Sequence, residues 1–212
     1  MKKILLLGDS IRKGYDKYVK IAFGGVAEVY FPEENGKFSS NVLRNLLVWK
    51  KQLELDESVD LVHFNAGLWD DIIMLDGKHH TPIDVYTEYI GRICDTIKIL
   101  YPEAKIVFAT STPVQEELFI NEYKRYNKDT EKYNAAAVET VRKHGGEIND
   151  LYSLVKEFPK EYYSDMTHLY TKDGTEHITN QVIKIIEDTL DIKGNIPDYE
   201  AYFNKEKNIE GI

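Results

Sequence analysis

Short apolar runs alternate with longer amphipathic stretches along most of this chain. The runs have the length and β-branched or aromatic character of strands, and they cover residues 4–7, 27–31, 59–64, 105–109 and 147–149. Strands joined through helices run parallel and are buried on both faces. The pattern therefore predicts an α/β fold in which helices cover both faces of a parallel sheet of about five strands.

Four helices are predicted from apolar spacing and from residues typical of helix ends. The first begins at a cap formed by Ser40 or Asn41, and the second follows Thr81 as N-cap, with Pro82 at the first helical position, and ends near Leu100. The third follows Asp129 and ends before residues 145–146, and the fourth runs from about residue 173 to residue 190. The order of elements is thus largely strand, helix, strand.

The alternating pattern predicts one domain over residues 1–192. From residue 193 to residue 212, Gly, Pro, Asn and scattered aromatic residues follow one another without a clear period. We expect this segment to be a C-terminal tail, either extended over the body of the domain or partly mobile.

Composition excludes several classes of partner. The 212 residues carry a formal net charge of -9, which repels the phosphate backbone of nucleic acid and anionic membrane surfaces. No apolar stretch approaches the roughly 20 residues that span a bilayer, and the first apolar run is shorter than the roughly 7–15 residues of a signal-peptide core. The single Cys94 excludes an intrachain disulfide. We expect a soluble, cytoplasmic protein whose substrate is neutral or small.

Polar residues follow the carboxyl ends of four predicted strands. They are Gly8-Asp9-Ser10, Asn35-Gly36, the segment from Asn65 to Asp70, and Thr110-Ser111-Thr112. In an open parallel sheet the loops at these ends gather at one edge, where ligand sites form. Asp165 and His168 precede the last predicted helix, on a segment long enough to reach the same edge. A hydroxyl, an imidazole and a carboxylate can therefore meet there.

These three groups suit nucleophilic catalysis. A serine hydroxyl is nearly inert at neutral pH and needs a base within hydrogen-bond reach, whose tautomer is fixed by a carboxylate on its other nitrogen. The spacing of three lets Asp165 reach Nδ1 of His168 and leaves Nε2 free to face Ser10. The motif alone leaves an alternative about equally open, in which Asp165 caps a local turn and His168 is a surface histidine.

The motifs together resemble those of the SGNH superfamily of GDSL-type hydrolases. Gly8-Asp9-Ser10 matches the first block of that family and Asp165-Met166-Thr167-His168 the last, and Gly36 is the candidate for the second. The resemblance implies a flavodoxin-like three-layer α/β/α sandwich. It also implies that Ser10 is the nucleophile, His168 the general base and then acid, and Asp165 its orienting partner, without a metal or an organic cofactor.

The third block departs from the family pattern. In Gly67-Leu68-Trp69-Asp70, Trp69 stands where the family places an Asn that donates a hydrogen bond to the oxyanion. The resemblance implies backbone donors at Ser10 and Gly36. For the third donor we rank Asn65 ahead of the indole N–H of Trp69, although a turn-forming Asn65 and a pocket-wall Trp69 remain open. Trp69 and Asp9 are predicted to contact substrate.

The resemblance implies a serine esterase that acts through an acyl-enzyme. The compact chain favours short-acyl esters, such as acetyl esters of small alcohols or sugars. The alternatives are an acyltransferase, a thioesterase or lysophospholipase of the same family, and a catalytically impaired ligand-binding module, for which Trp69 is the motive. The aromatic segment 115–128 is predicted to be a lid or pocket rim, and His79-His80 lacks the ligand spacing of a metal site.

Overall fold

Five parallel strands form a single sheet in the computed structural model, which describes residues 1–120 and 123–209. The strand order is β2-β1-β3-β4-β5, and each neighbouring pair is parallel. The strands are β1 (Lys2–Leu7), β2 (Ala27–Tyr30), β3 (Leu61–Phe64), β4 (Lys105–Ala109) and β5 (Glu147–Asn149). The predicted parallel sheet is confirmed.

Helices cover both faces of the sheet. The α-helices of the described residues are α1 (Ser10–Ala22), α2 (Ser39–Gln52), α3 (Ile83–Leu100), α4 (Asn127–Lys143), α5 (Leu151–Lys156), α6 (Lys172–Leu190) and α7 (Tyr199–Ile209). Because side chains alternate along a strand, Ile4 and Leu6 of β1 pack in the core beneath α1 and α6, while Leu5 and Leu7 pack beneath α2, α3 and α4. The predicted three-layer α/β/α sandwich is confirmed.

The starts of three predicted helices differ from the sequence prediction, and one of these helices, α4, begins at Asn127 rather than after Asp129. α2 begins at Ser39, before the predicted caps Ser40 and Asn41, because the carboxylate of Asp70 accepts from the Ser39 amide at 2.9 Å and from its hydroxyl at 2.6 Å. α3 begins at Ile83 with Pro82 as its N-cap, rather than with Thr81 in that position. A carboxylate far along the chain thus replaces the local cap that the sequence suggested for α2.

The C-terminal segment contains a helix that the sequence did not predict. In α7, Tyr199 is buried, and its ring centroid lies 5.5 Å from that of Tyr18 on α1. Its hydroxyl donates to Asn180 Oδ1 at 3.0 Å. The segment is therefore not an extended tail over residues 199–209. Residues 210–212 lie outside the described part of the chain, and the division at residue 192 stays a prediction.

Membrane-spanning helices were sought within residues 1–120 and 123–209. No helix there combines the length and the apolar character that crossing a bilayer requires.

Candidate active site

Ser10 is the first residue of α1, directly beyond the interior strand β1. Gly8 makes the turn with a φ of +150°, a conformation that favours glycine, and Asp9 is the N-cap, whose carboxylate accepts from the Ile11 amide at 2.9 Å. β1 lies between β2 and β3. The backbone therefore holds the Ser10 hydroxyl at the carboxyl edge of the sheet and at a helix N-terminus.

His168 and Asp165 lie on the loop that precedes α6, and this loop reaches Ser10. The Ser10 Oγ to His168 Nε2 distance is 2.8 Å, and the His168 Nδ1 to Asp165 Oδ2 distance is 2.6 Å. With the Nδ1 proton donated to the carboxylate, Nε2 is free to accept the hydroxyl proton of Ser10. The structure brings together the three side chains that the sequence paired.

The backbone holds Asp165 in place. Its Oδ1 accepts from the amides of Thr167 at 2.7 Å and His168 at 2.8 Å. Partial burial alone would raise the pKa of Asp165, but its hydrogen bonds with the His168 ring and with these two amides outweigh that effect and lower the pKa from its ordinary value. The side chain of Asp165 is thus an anionic carboxylate at neutral pH, where it can accept the Nδ1 proton of His168.

Tyr170 belongs to the same constellation and was missed by the sequence reasoning. Its hydroxyl donates to the Ser10 carbonyl oxygen at 2.6 Å, and its ring stacks on His168 with the centroids 4.7 Å apart. Residues two apart in an extended segment point to the same side, which is the one signal that could have associated Tyr170 with His168. Tyr170 ties the imidazole to the start of α1.

Asp9 and Asn65 lie beneath the site. Asp9 is completely buried, and its Oδ1 accepts from Asn65 Nδ2 at 2.8 Å as well as from the Ile11 amide. Asn65 is 3% exposed and packs so closely on Gly8 that a Cβ there would lie 1.9 Å from its Oδ1. A direct substrate contact for Asp9 and an oxyanion contact for Asn65 therefore do not fit, because both side chains are engaged with each other below the pocket.

The Gly36 amide also has a partner within the protein. It donates to the Gly8 carbonyl oxygen at 2.8 Å, and a Cβ on Gly36 would lie 2.6 Å from that oxygen. The predicted role of Gly36 as an oxyanion donor does not fit this geometry. The Ser10 amide remains, because the first turn of a helix leaves its N–H groups without partners in the helix.

Ser10 and His168 line a pocket of about 550 Å³, a volume typical of small-molecule sites. Most of its other lining residues are apolar, and these are Phe38, Leu68, Trp69, Ile72, Met74, Phe119 and Met166. Phe38 stacks against His80, another lining residue, with ring centroids 4.7 Å apart. The Ser10 hydroxyl and the His168 imidazole thus face a space that can hold an apolar ligand group.

Known structures resemble this one over most of its length. A lipase/acylhydrolase of Enterococcus faecalis has a TM-score of 0.71 at 20% identity, with 91% of this chain and 98% of that chain covered. The acetyl xylan esterase AlAXEase has a TM-score of 0.68 at 15% identity, with 87% and 99% covered. A GDSL-like lipase of Bacteroides thetaiotaomicron has a TM-score of 0.68 at 18% identity, with 88% of each chain covered. This is the fold of the GDSL-type hydrolases.

Sequence comparisons add a distant relative with the same family name. A GDSL esterase/lipase of Oryza sativa subsp. japonica is 20% identical over 119 residues, which make up 51% of this chain. The match spans only 45% of the rice protein. No protein-family model matches the chain. The GDSL-type fold therefore rests mainly on the structural similarity.

Trp69, which stands where the GDSL-type pattern has an Asn, forms part of the pocket wall in this fold. Trp69 is half-buried and lines the pocket together with Ser10, whereas Asn65 does not. Asp70, the next residue, turns away from the pocket and holds the start of α2 through Ser39. Trp69, rather than Asn65, is the side chain that can approach a bound ester.

The segment 115–128 contributes the far wall of the pocket, as the sequence suggested, through Phe119, Tyr123 and Arg125. Arg125 donates through Nε to the Leu68 carbonyl oxygen. The sequence placed Arg125 in this segment together with Phe119 and Tyr123, but it did not assign Arg125 a role of its own. Residues 121 and 122 lie outside the described residues.

The two adjacent histidines of the 72–80 loop have separate partners. His79 Nδ1 lies 2.8 Å from the Asp71 carbonyl oxygen, and His80 faces the pocket. Within the described ranges, no group of three or more His, Cys, Asp or Glu side chains is placed to hold a metal ion.

Proposed function

We propose that this protein is a serine-dependent hydrolase that cleaves carboxylic esters through an acyl-enzyme. The observation that carries the proposal is the continuous chain of contacts from Ser10 Oγ to His168 and from His168 to Asp165, at 2.8 and 2.6 Å. It lies beside an apolar pocket in a fold that the protein shares with lipases, esterases and acylhydrolases.

The proposed reaction has two steps. Ser10 Oγ attacks the ester carbonyl carbon while His168 Nε2 takes the hydroxyl proton, and the tetrahedral intermediate expels the alcohol, which leaves with that proton. Water then attacks the acyl-enzyme, gives a proton to the same nitrogen, and releases the acid and the free serine. Asp165 stabilises the imidazolium that forms in each step.

The negative charge on the carbonyl oxygen needs donors in both steps. The Ser10 amide supplies one, and the positive end of the α1 dipole favours a negative charge at the same place. Trp69 lines the pocket, and we propose its indole N–H as a second donor. Because the Gly36 amide is bonded to the Gly8 carbonyl oxygen, stabilisation of the negative charge depends on the start of α1 and on Trp69.

We propose a small-molecule ester with a short acyl group as the substrate. The acetyl xylan esterase among the structural neighbours supports an acetyl ester of a sugar or small alcohol, and the pocket has room for the alcohol portion as well. A cytoplasmic location and the absence of a nucleic-acid partner stay predictions from the sequence.

An ester series from acetyl to decanoyl tests this proposal on wild type, Ser10→Ala and a matched control, Ser40→Ala, in the first turn of α2. We expect Ser10→Ala to lower kcat by at least about 10³-fold, because a triad without its nucleophile keeps only the catalysis of the remaining site. Ser40→Ala should keep the wild-type rate. Equal rates for wild type and Ser10→Ala would refute the hydrolase, and a preference for decanoyl would refute the short-acyl substrate.

One observation favours a second candidate, a ligand-binding module with little catalysis. Two of the three expected oxyanion donors, Gly36 and Asn65, are bonded within the protein. Covalent labelling by a fluorophosphonate separates the two candidates. A hydrolase labels at Ser10 much faster than its Ser10→Ala variant, whereas a binding module does not.

A further inference from the structure

The pocket has a charge opposite to that of the chain. Among its lining residues in the described part of the chain, Arg125 carries a permanent positive charge and none is Asp or Glu. The whole chain has a formal net charge of -9. A cation on a low-dielectric wall has a strong local effect, because little water screens it.

Arg125 is held so that part of its guanidinium group remains available. Its side chain is 11% exposed, Nε donates to the Leu68 carbonyl oxygen, and the guanidinium carbon lies 5.7 Å from the centre of the Phe119 ring. Its two terminal nitrogens have no hydrogen-bond acceptor within residues 1–120 and 123–209. A nearly buried guanidinium with unused donors favours a ligand that brings an acceptor.

The neighbouring carboxyl group of Asp71 neutralises this charge only in part. The distance from Arg125 Nε to Asp71 Oδ1 is 3.8 Å, which is too long for a hydrogen bond. Burial is the main cause that raises the pKa of Asp71 to about 7, so a large share of this carboxyl is protonated at neutral pH. The terminal nitrogens of Arg125 therefore remain the main charge on the pocket wall.

We propose that the pocket binds esters that carry an anionic group, and that Arg125 receives this group while the ester carbonyl lies at Ser10. This inference rests on the proposed hydrolase function and adds the class of its substrate. The planar guanidinium presents parallel N–H groups that match the two oxygens of a carboxylate. The apolar residues around it, such as Phe119 and Leu68, fit the hydrocarbon part between the anion and the ester.

Two pairs of esters test the proposal, each with one anionic and one neutral member of the same size. The first pair is 4-acetoxybenzoate and 4-acetoxybenzamide, with the charge on the alcohol side. The second is monoethyl glutarate and the ethyl ester of glutaric acid monoamide, with the charge on the acyl side. We expect wild type to prefer the anionic member of at least one pair by about 10-fold to 100-fold in kcat/KM, the range for a hydrogen bond to a charged group.

Variants of Arg125 show whether this residue is the cause of the preference. Arg125→Gln should lower the anionic-to-neutral ratio about 10-fold or more, and Arg125→Lys should restore part of it, because a lysine keeps the charge without the planar donors. The matched control is Arg44→Gln on the exposed face of α2, which removes the same charge far from the pocket and should leave the ratio unchanged. Circular dichroism checks that each variant is folded.

A labelling experiment on wild type covers the case in which Arg125 variants do not fold or the four esters are poor substrates. Glutarate and 4-hydroxybenzoate should slow fluorophosphonate labelling of Ser10 more than glutaramide and 4-hydroxybenzamide do. Equal turnover within both pairs, or equal protection by anions and amides, would overturn the anionic substrate and leave the hydrolase standing. Hydrolysis that persists in Ser10→Ala, or no hydrolysis together with no labelling, would overturn the hydrolase itself.

Discussion

Each of the three side chains in the proposed triad is held by a different kind of contact. Ser10 is fixed by the start of α1, His168 by the carboxylate of Asp165, and Asp165 by two backbone amides. Because the backbone orients the carboxylate, the imidazole takes its orientation from the loop before α6. We therefore expect small changes in that loop to move the imidazole of His168 rather than the hydroxyl of Ser10.

Asp165→Asn should lower kcat by about 10²–10³-fold, less than the loss for His168→Ala. The amide cannot fix the Nδ1–H tautomer or stabilise the imidazolium, but the side chain is 46% exposed, so water supplies part of the stabilisation. Steady-state kinetics on an ester that wild type hydrolyses measures the effect, with Asp173→Asn on the surface of α6 as the control. A kcat within threefold of wild type would contradict the orienting role of Asp165.

Tyr170 is predicted to position His168. Tyr170→Phe keeps the stacked ring and loses the hydrogen bond to the Ser10 carbonyl, so we expect kcat to fall by less than about 10-fold, whereas Tyr170→Leu loses both contacts and should cost about 10-fold to 100-fold. A structural role alone would lower the melting temperature of both variants without this difference in kcat at a temperature where both are folded. Equal kcat values for the two variants would contradict the positioning role.

At the residue scale, the spacing of motifs predicted which groups meet but did not predict where each donor points. The pairing of Ser10 with His168 follows from strand-end placement and chain order. The orientation of the Gly36 amide depends on the Gly8 carbonyl, and that of Asn65 depends on buried Asp9. These partners are set by packing between separate loops, which residue spacing does not encode.

At the scale of elements, the loop that follows β1 packs against the loop that follows β2. Gly36 lies against the Gly8 backbone, and Gly8 lies against Asn65, so neither position has space for a side chain. The close approach of these backbones positions Phe38 on the pocket wall. The shape of the site therefore depends on contacts between loops as much as on the helices that follow them.

Gly36→Ala should destabilise the protein by about 1–3 kcal/mol and lower kcat/KM, because a Cβ 2.6 Å from the Gly8 carbonyl oxygen must displace one of the two backbones. Chemical denaturation and kinetics measure the two effects. Gly91→Ala in α3 is the matched control, since its nearest contact would be 3.4 Å and alanine favours a helix, so it should be neutral or stabilising. Similar stabilities for the two variants would show that the contact is not tight.

The strands and the helices with an unbroken apolar stripe were predictable, and the others were not. α1 was missed because Arg12 and Asp16, paired with each other, lie buried on its inner face and interrupt the stripe. α7 was missed because aromatic contacts with Tyr18, rather than a regular period, hold it on the body. Both helices are therefore stabilised by contacts with residues that an apolar period does not reveal.

At the scale of the whole molecule, this acidic protein buries several carboxyl groups. Burial is the main cause that raises the pKa of Asp9, Asp16, Asp70 and Asp71. A carboxyl whose pKa is higher in the folded state adds stability at low pH, and this contribution is lost as pH rises through the folded pKa. These four carboxyl groups therefore contribute more to the stability of the folded protein at acidic pH than at neutral pH, which is opposite to the effect of most carboxyl groups in proteins.

Asp71→Asn isolates this effect, because Asp71 has a pKa of about 7 in the folded protein. As pH rises from about 4 to 8, wild type should lose stability relative to the variant. Since each pH unit between the unfolded and folded pKa values is worth about 1.4 kcal/mol, the relative change reaches at most about 4 kcal/mol. Urea unfolding of both proteins at several pH values measures it, and a constant difference across this range would contradict the assigned pKa.

The hydrogen bond between Ser10 and His168 joins residues 158 positions apart. On the ribosome, His168 is synthesised 158 residues after Ser10, and strands β2 to β5 all lie between these two residues in the sequence. Contacts of such long range are among the last to form because the intervening chain must first become ordered. We therefore expect that in a half-folded chain the Ser10 hydroxyl lacks its contact with the His168 imidazole, and that the proposed activation of this serine needs the folded sheet.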